Sequence, residues 1–378
     1  MPDAVVLEIR PVRADVHRVA MIDPSDVSGL RQAMDAGAID PATIVAVIGK
    51  THGNGLVNDY TRGYLAQSLS LLIGGRIGQS AEAVRARVPL IFSGGVEGVL
   101  SPHYTVFAVV ADEAPTDGNM ALAVGVAFTD AMRPSDIGRQ AQIEVVAAAV
   151  ERARIGSGIA AGDVHFVQVK GPAFTLAAIL EDRDGRRAAT DNSGKLMAFG
   201  RAASALGVAK ALGEVPAERA VESVVLEDFS AYSAVASISA GVEVQYNEVV
   251  VIGMSDRWTG PLAIAHTAMT DALDVGSVHA MLQRLGFPPA PQIADPARIR
   301  AAFVKCEAQR DGFVRGRPHT MLNDGDINEQ RHIRGAVGAI IASILNDTAL
   351  FVSGGAEHQG PDGGGLVAVI VERTRTQV

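Results

Sequence analysis

The sequence predicts an α/β protein made of three similar units arranged around a common centre, and three observations carry that expectation. A serine turn occurs three times, as Ser93-Gly94-Gly95-Val96-Glu97, Ser239-Ala240-Gly241-Val242-Glu243 and Ser353-Gly354-Gly355-Ala356-Glu357. Each turn is preceded by the same series, a helix, a strand ending on lysine and a helix carrying arginine, and is followed by a further strand. Equivalent residues lie far apart, 120 residues from Lys50 to Lys170 and 135 from Lys170 to Lys305, which excludes a solenoid of short repeats.

Each element has its own local reason. The first helices begin at Asp26-Val27-Ser28, Asp136-Ile137-Gly138 and Asp274-Val275-Gly276, where an Asp ahead of an amphipathic run is placed to cap the helix. Apolar strands over 43–50, 164–170 and 302–305 then end on Lys50, Lys170 and Lys305. Helical stretches over 60–72, 195–212 and 327–345 carry Arg62, Arg201 and Arg334. After the serine turns come runs rich in Val, Ile and Phe over 104–110, 248–253 and 366–371, the composition of buried strands. The polar stretches 111–118 and 255–261 read as linkers, giving units of 1–113, 119–256 and 262–378.

Composition narrows the function. Of 378 residues, 33 are Lys or Arg and 42 Asp or Glu, so the net charge is −9 and nucleic acid is not expected as a partner. Residues 1–21 mix Asp, Glu and Arg into their apolar positions and do not read as a signal peptide. The longest uncharged apolar stretches, 118–129 and 335–346, are too short to span a bilayer, so a soluble, cytoplasmic protein is expected. Cys306 is the only cysteine, which excludes an internal disulfide and a thiolate zinc cluster. It reads as a small buried apolar residue.

Serine and lysine brought together suggest acyl transfer. Serine attacks only when a base takes its proton, and lysine is such a base once burial or neighbouring cations lower its pKa. Three arginines around one pocket would supply those cations and grip a planar, oxygen-rich anion, while turn N–H groups hold an oxyanion. Singly, each serine also reads as a turn residue, each lysine as a solvated strand end and each arginine as a surface ion pair. Recurrence in register weakens those readings. Among the pairs, Lys305 precedes Glu307 on its strand face, which favours the charged lysine; Lys50 precedes Thr51-His52-Gly53, which decides nothing. Lys170 runs into Gly171-Pro172-Ala173 with no acidic neighbour, so Lys170 with Ser239 is the expected reactive pair. The turn 356–365, with its backbone carbonyls, and Glu307 would suit Mg²⁺ or Ca²⁺, although the same turn reads equally as an ion-free glycine loop. No metal spacing of histidines, phosphate loop or complete dinucleotide fingerprint is present, so no organic cofactor is expected.

Four strings, Gly49-Lys50-Thr51-His52-Gly53-Asn54-Gly55, Asp191-Asn192-Ser193-Gly194-Lys195, Phe303-Val304-Lys305-Cys306-Glu307 and the stretch 353–365, closely resemble the cyanuric acid hydrolase and barbiturase family of ring-opening amidohydrolases. The resemblance spans essentially the whole chain. It implies a Toblerone-type fold, three α/β units with pseudo-threefold symmetry, sheets around a central active site and helices outside. It also implies Ser–Lys chemistry in the middle unit, with Lys50 and Lys305 in the further pairs. Arg62, Arg201 and Arg334 would bind substrate with Ser93, Gly94, Ser239, Ala240, Ser353 and Gly354. A structural metal is implied on Glu307 and the carbonyls of Ala356, Gln359, Gly360, Pro361 and Gly364, and a homotetramer as the assembly. Ala240 departs from the glycine of the other two turns but keeps its N–H.

The implied reaction is hydrolytic opening of cyanuric acid to carboxybiuret, which loses CO₂ to give biuret. Barbituric acid, with one ring NH replaced by CH₂, is the alternative substrate. The residues four before each arginine, Asn58, Met197 and Gln330, differ from unit to unit, and Gln330 is the expected specificity residue. A different class stays open at this stage: a non-catalytic protein that binds an anionic heterocycle.

Overall fold

A computed structural model of the chain describes residues 11–112, 118–182 and 187–374. The first unit runs β1 (Val12–Ala20), α1 (Ser28–Asp35), β2 (Ile44–Thr51), α2 (Thr61–Ile77), α3 (Ala81–Arg85), β3 (Leu90–Gly94) and β4 (His103–Ala111). The second runs β5 (Ala121–Phe128), α4 (Gln140–Ser157), β6 (Val164–Pro172), α5 (Leu176–Glu181), α6 (Ser193–Leu212), β7 (Ala236–Gly241) and β8 (Glu248–Ser255). After a short β9 (Trp258–Thr259), the third runs β10 (Leu262–Met269), α7 (Val275–Arg284), β11 (Ile299–Lys305), the hairpin β12 (Phe313–Val314) and β13 (Arg317–Pro318), α8 (Glu329–Leu345), β14 (Phe351–Ser353) and β15 (Gly365–Glu372).

The three main sheets share one topology. Their strand orders are β3-β2-β4-β1, β7-β6-β8-β5 and β14-β11-β15-β10, with β9 added at the edge of the first. In each, the lysine strand pairs parallel with the serine strand and antiparallel with the last strand. Even the irregularity repeats, a bulge near the start of β2, β6 and β11, at Ile44/Ala46, Val164/Phe166 and Ile299/Ala301. A parallel pair needs a crossover helix, and α2, α6 and α8 supply it.

Strand alternation divides the core into an outer and an inner layer. In the first unit Val47, Leu90, Phe92, Tyr104 and Val106 pack with Leu65, Leu69 and Ile73 of α2. The opposite faces send Ile48, Ile91 and Phe107 into a cluster shared by all three units. At its centre Phe303 stacks on Phe166, centroids 4.3 Å apart, and on Phe107 at 6.4 Å. The sheets therefore meet face to face, and the helices that pack on their outer faces lie outside. The helices α2, α4, α6 and α8 end on left-handed residues, Gly78, Gly158, Gly213 and Asn346, the backbone that stops a helix cleanly.

Several sequence expectations need correction. The opening strands β1, β5 and β10 belong to the repeat, which the sequence pattern started one element late. Of the three expected caps only Asp274 is an N-cap, accepting from Ser277 N–H; Asp26 sits one residue early, and Asp136 ends a 3-10 turn ahead of α4. The stretch 255–261 is no free linker, because β9 pairs with β1 and Trp258 is buried, donating its indole N–H to the Ser157 carbonyl. Most of the other expected linker, 113–117 of 111–118, lies outside the described residues, as do 1–10 and 375–378. Among the described residues no helix is long and apolar enough to cross a membrane.

Candidate active site

The strand register brings each lysine opposite its serine: Lys50 to Ser93, Lys170 to Ser239 and Lys305 to Ser353. All six lie on the inward faces and are buried, the lysines at 0–1% exposure, so the reading of these lysines as solvated strand ends is wrong. Lys50 Nζ donates to Ser93 Oγ at 3.3 Å and to the Gly94 carbonyl at 2.9 Å. Lys305 Nζ donates to Ser353 Oγ at 3.4 Å and to the Gly354 carbonyl at 3.0 Å. Lys305 Nζ also donates to the Ile238 carbonyl of the second unit at 3.0 Å, and Lys170 Nζ makes the matching bond to the Phe92 carbonyl of the first at 2.8 Å; what sets Lys170 apart is Glu243 Oε1, 2.6 Å away.

The arginines form a ring between units. Arg201 of the second unit pairs with Glu357 of the third through Nε at 2.8 Å and Nη2 at 2.5 Å. Arg334 of the third pairs with Glu97 of the first at 2.8 and 2.6 Å. Arg62 of the first reaches Glu243 of the second, but at 3.5 Å, and instead donates to the carbonyls of Ala240 at 2.9 Å and Leu56 at 2.8 Å. The Arg201–Glu357 and Arg334–Glu97 pairs have planar, forked geometry, which fixes the guanidinium orientation, and all three arginines are buried, so these are not surface ion pairs. The three glutamates are the last residues of the three serine turns. Their recurrence is visible in the sequence; their pairing with the arginine of another unit is not.

The middle turn breaks the symmetry. Gly95 and Gly355 have left-handed backbone, φ +94° and +67°, which turns the preceding carbonyls toward Lys50 and Lys305. Gly241 is the last residue of β7 and lacks that conformation, so the Ala240 carbonyl faces Arg62 and Glu243 takes its place at the lysine.

One central cavity is lined by Arg62, Arg201, Arg334, Ser93, Gly94, Ser239, Ala240, Ser353 and Gly354, all nine of the residues expected to meet substrate, with Gly55, Met197, Ile238 and Gln330. Ser93 Oγ and Ser353 Oγ share a hydrogen bond of 3.3 Å in its wall. A neighbouring cavity of about 450 Å³ shares Gly55, Met197, Arg201 and Gln330 and includes Leu56, Tyr60 and Leu176. Of the three positions before the arginines, Met197 and Gln330 reach the central cavity. Asn58 does not: it precedes α2, is exposed, and its carbonyl accepts from Asn54, so the expected shared helix face does not exist there.

Electrostatics overturn the reasoning that singled out Lys170. Burial, assisted by Arg62, lowers Lys170 to about 8, while Glu243 opposes the shift. Burial and Arg201 lower Lys305 to about 7 despite Glu307, and burial and Arg334 carry Lys50 well below its ordinary value. Lys170 thus has an acidic neighbour after all, contributed by the turn four residues beyond its serine. Burial works to raise Glu243, but Lys170 and Arg62 hold it below the usual range. Glu248, opposite Lys170 on β8, is pushed up to about 8 by burial. Burial pushes the Cys306 thiol up to about 12, in keeping with an inert core residue.

The expected metal ligands lie in one region. Burial and the neighbouring Glu357 push Glu307 up to about 7, and Arg310 Nη2 contacts its Oε2 at 2.7 Å. The Ala356 and Pro361 carbonyls accept from Gln359 and Gly364 N–H, at 2.9 and 3.0 Å, leaving each oxygen a second lone pair. Gln359 Oε1 accepts from Ile238 N–H at 2.7 Å, which ties this turn to β7. Among the described residues no three His, Cys, Asp or Glu gather around a point, so a cation here would depend mainly on backbone oxygens. The half-buried Glu307, crowded by buried Glu357 and beside a carbonyl-rich turn, has the oxygen chemistry a hard divalent cation takes.

Comparison with known proteins shows the family of the chain. A family model described as amidohydrolase ring-opening protein matches residues 15–372. A cyanuric acid amidohydrolase of Azorhizobium caulinodans is 46% identical, over 96% of this chain and 99% of that protein. A cyclic amide hydrolase of the same organism is 44% identical, over 95% of this chain and 100% of the other. A solved cyanuric acid hydrolase structure superimposes with a TM-score of 0.92 at 46% identity, covering 96% of this chain and 100% of that one.

Proposed function

The chain belongs to the ring-opening amidohydrolase family, and from that premise we propose that it hydrolyses the ring of cyanuric acid. One observation supports this above the others: three arginines and three serines from three like units line a single cavity. Cyanuric acid is itself threefold symmetric, so such a cavity can meet its three carbonyl oxygens in equivalent ways. The units themselves are taken as 1–113, 119–256 and 262–378.

Neutral Lys170 takes the Ser239 proton as Ser239 Oγ attacks a ring carbonyl carbon. The resulting oxyanion is held by turn N–H groups and the nearby guanidinium groups, donors fixed before the reaction begins. The ring C–N bond then breaks and Lys170 returns its proton to the departing nitrogen. Water then attacks the acyl-serine, giving its proton to neutral Lys170, which passes it to the departing Ser239 Oγ; carboxybiuret is released and loses CO₂ to give biuret. Glu243 holds Lys170 beside the serine strand. The choice of the middle pair rests on the family resemblance and on the broken symmetry at Gly241. It does not rest on an absence of acidic neighbours.

Glu307 and the carbonyls of Ala356, Gln359, Gly360, Pro361 and Gly364 would hold a structural Mg²⁺ or Ca²⁺, whose charge would offset the crowded carboxylates. The assembly is taken to be the family's homotetramer and the compartment the cytoplasm. Incubation with cyanuric acid, following loss of ring absorbance and appearance of biuret, tests the activity, with barbituric acid in parallel. Preference for barbituric acid makes the protein a barbiturase; binding without turnover of either sinks the enzyme reading and leaves a sensor.

A further inference from the structure

Behind the middle serine lies a polar pair that the flanking units lack. Gln168 faces Ser237 two residues before the Lys170 and Ser239 positions, on the same face of the sheet. The equivalent pairs are Ile48 with Ile91 in the first unit and Phe303 with Phe351 in the third. Gln168 and Ser237 are 0% and 1% exposed, where an amide is tolerated only with its hydrogen bonds made. Ser237 Oγ donates to Gln168 Oε1 at 2.8 Å, which directs the other end of the carboxamide. Gln168 Nε2 donates to the Val169 carbonyl at 3.2 Å and to Ser239 Oγ at 3.4 Å.

A serine hydroxyl has one proton to give and two lone pairs with which to accept. Ser93 and Ser353 lie within hydrogen-bond distance of their own lysines, at 3.3 and 3.4 Å, and of each other at 3.3 Å, so both hydroxyls are already engaged within the flanking pairs. At Ser239 an amide N–H occupies the accepting side. It cannot take a proton, so the Ser239 O–H stays available, with Lys170 on the neighbouring strand to receive it. We infer that Gln168, anchored by Ser237, is the positioning residue that makes Ser239 the nucleophile in preference to Ser93 or Ser353. This rests on the reading in which Ser239 attacks the ring.

The test is kcat and KM with cyanuric acid for Gln168→Leu and Ser237→Ala, run beside Ser239→Ala. Gln168→Leu should lower kcat about 10–100-fold while KM stays within about twofold, because the side chain lies behind the serine and not against substrate. Ser237→Ala, which only unfastens the carboxamide, should lower kcat about 3–10-fold. Unchanged kcat, or a loss confined to KM, overturns the inference. Should Gln168→Leu not fold, folded Ser237→Ala decides alone, and wild-type kcat in it is the overturning result. Full activity in Ser239→Ala removes the nucleophile reading itself; an inactive Ser239→Ala beside a normal Gln168→Leu removes only the role of Gln168.

Discussion

Replacing Glu243 by Gln should move the acid limb of the pH–rate profile downward. A lysine base works only when neutral, so activity is present above its pKa and lost as pH falls through it. With Lys170 at about 8, about one-tenth is neutral at pH 7 and about nine-tenths at pH 9, a rise of nearly tenfold in rate across that window. Glu243 Oε1 lies 2.6 Å from Lys170 Nζ and favours its charged form. Unit charges at that distance attract by about 6 kcal/mol at an effective dielectric of ~20. Only about 1 kcal/mol of that need be lost to displace the limb by one unit. The assay is kcat against pH from 6 to 10 for wild type and Glu243→Gln. Ionisation of the substrate enters both profiles alike, so their difference reads the enzyme group. A limb lowered by about one unit or more supports Lys170 as the base. An unmoved limb, with the variant folded, refutes it.

Three further outcomes follow from the geometry. Gly355→Ala puts a side chain on left-handed backbone and a Cβ 2.7 Å from Arg201 Nε, so it should cost about 1–2 kcal/mol in thermal denaturation and raise KM by displacing the guanidinium. Gln330→Ala should change the ratio of cyanuric to barbituric acid turnover, since Gln330 lines the cavity in one unit only; an unchanged ratio removes it as the specificity residue. Exhaustive treatment with a chelator should lower Tm, and added Mg²⁺ or Ca²⁺ should restore it; an identical Tm before and after treatment speaks against the cation at Glu307.

Much of the site was legible because triplication kept residue identity where the centre requires it. Lys, Ser and Arg recur in order, and the strands that carry them are strongly apolar, so their convergence followed from the pattern. What escaped lies where the signal is local or crosses between units. The strand β1 has Arg13, Asp15, His17 and Arg18 among its nine residues and does not read as buried sheet. The two residues of β9 are too few to show any period. Neighbours in sequence misled the choice of base, because the carboxylate beside Lys170 comes from Glu243 on a different strand connection, 73 residues away. Asn58 is one helical turn before Arg62 in sequence, but the helix begins only at Thr61. The polar pair Gln168 and Ser237 occupies strand positions that look ordinary until their register with Ile48, Ile91, Phe303 and Phe351 is known.

Three serines converge on one cavity and one of them is taken to react, so the decisive measurement compares Ser93→Ala, Ser239→Ala and Ser353→Ala for cyanuric acid turnover under identical conditions. Ser239→Ala should lose about 10³-fold or more in kcat, while the other two keep measurable turnover and show their larger effect in KM. Equal loss in all three, or retained turnover in Ser239→Ala, would contradict a nucleophile confined to the middle unit.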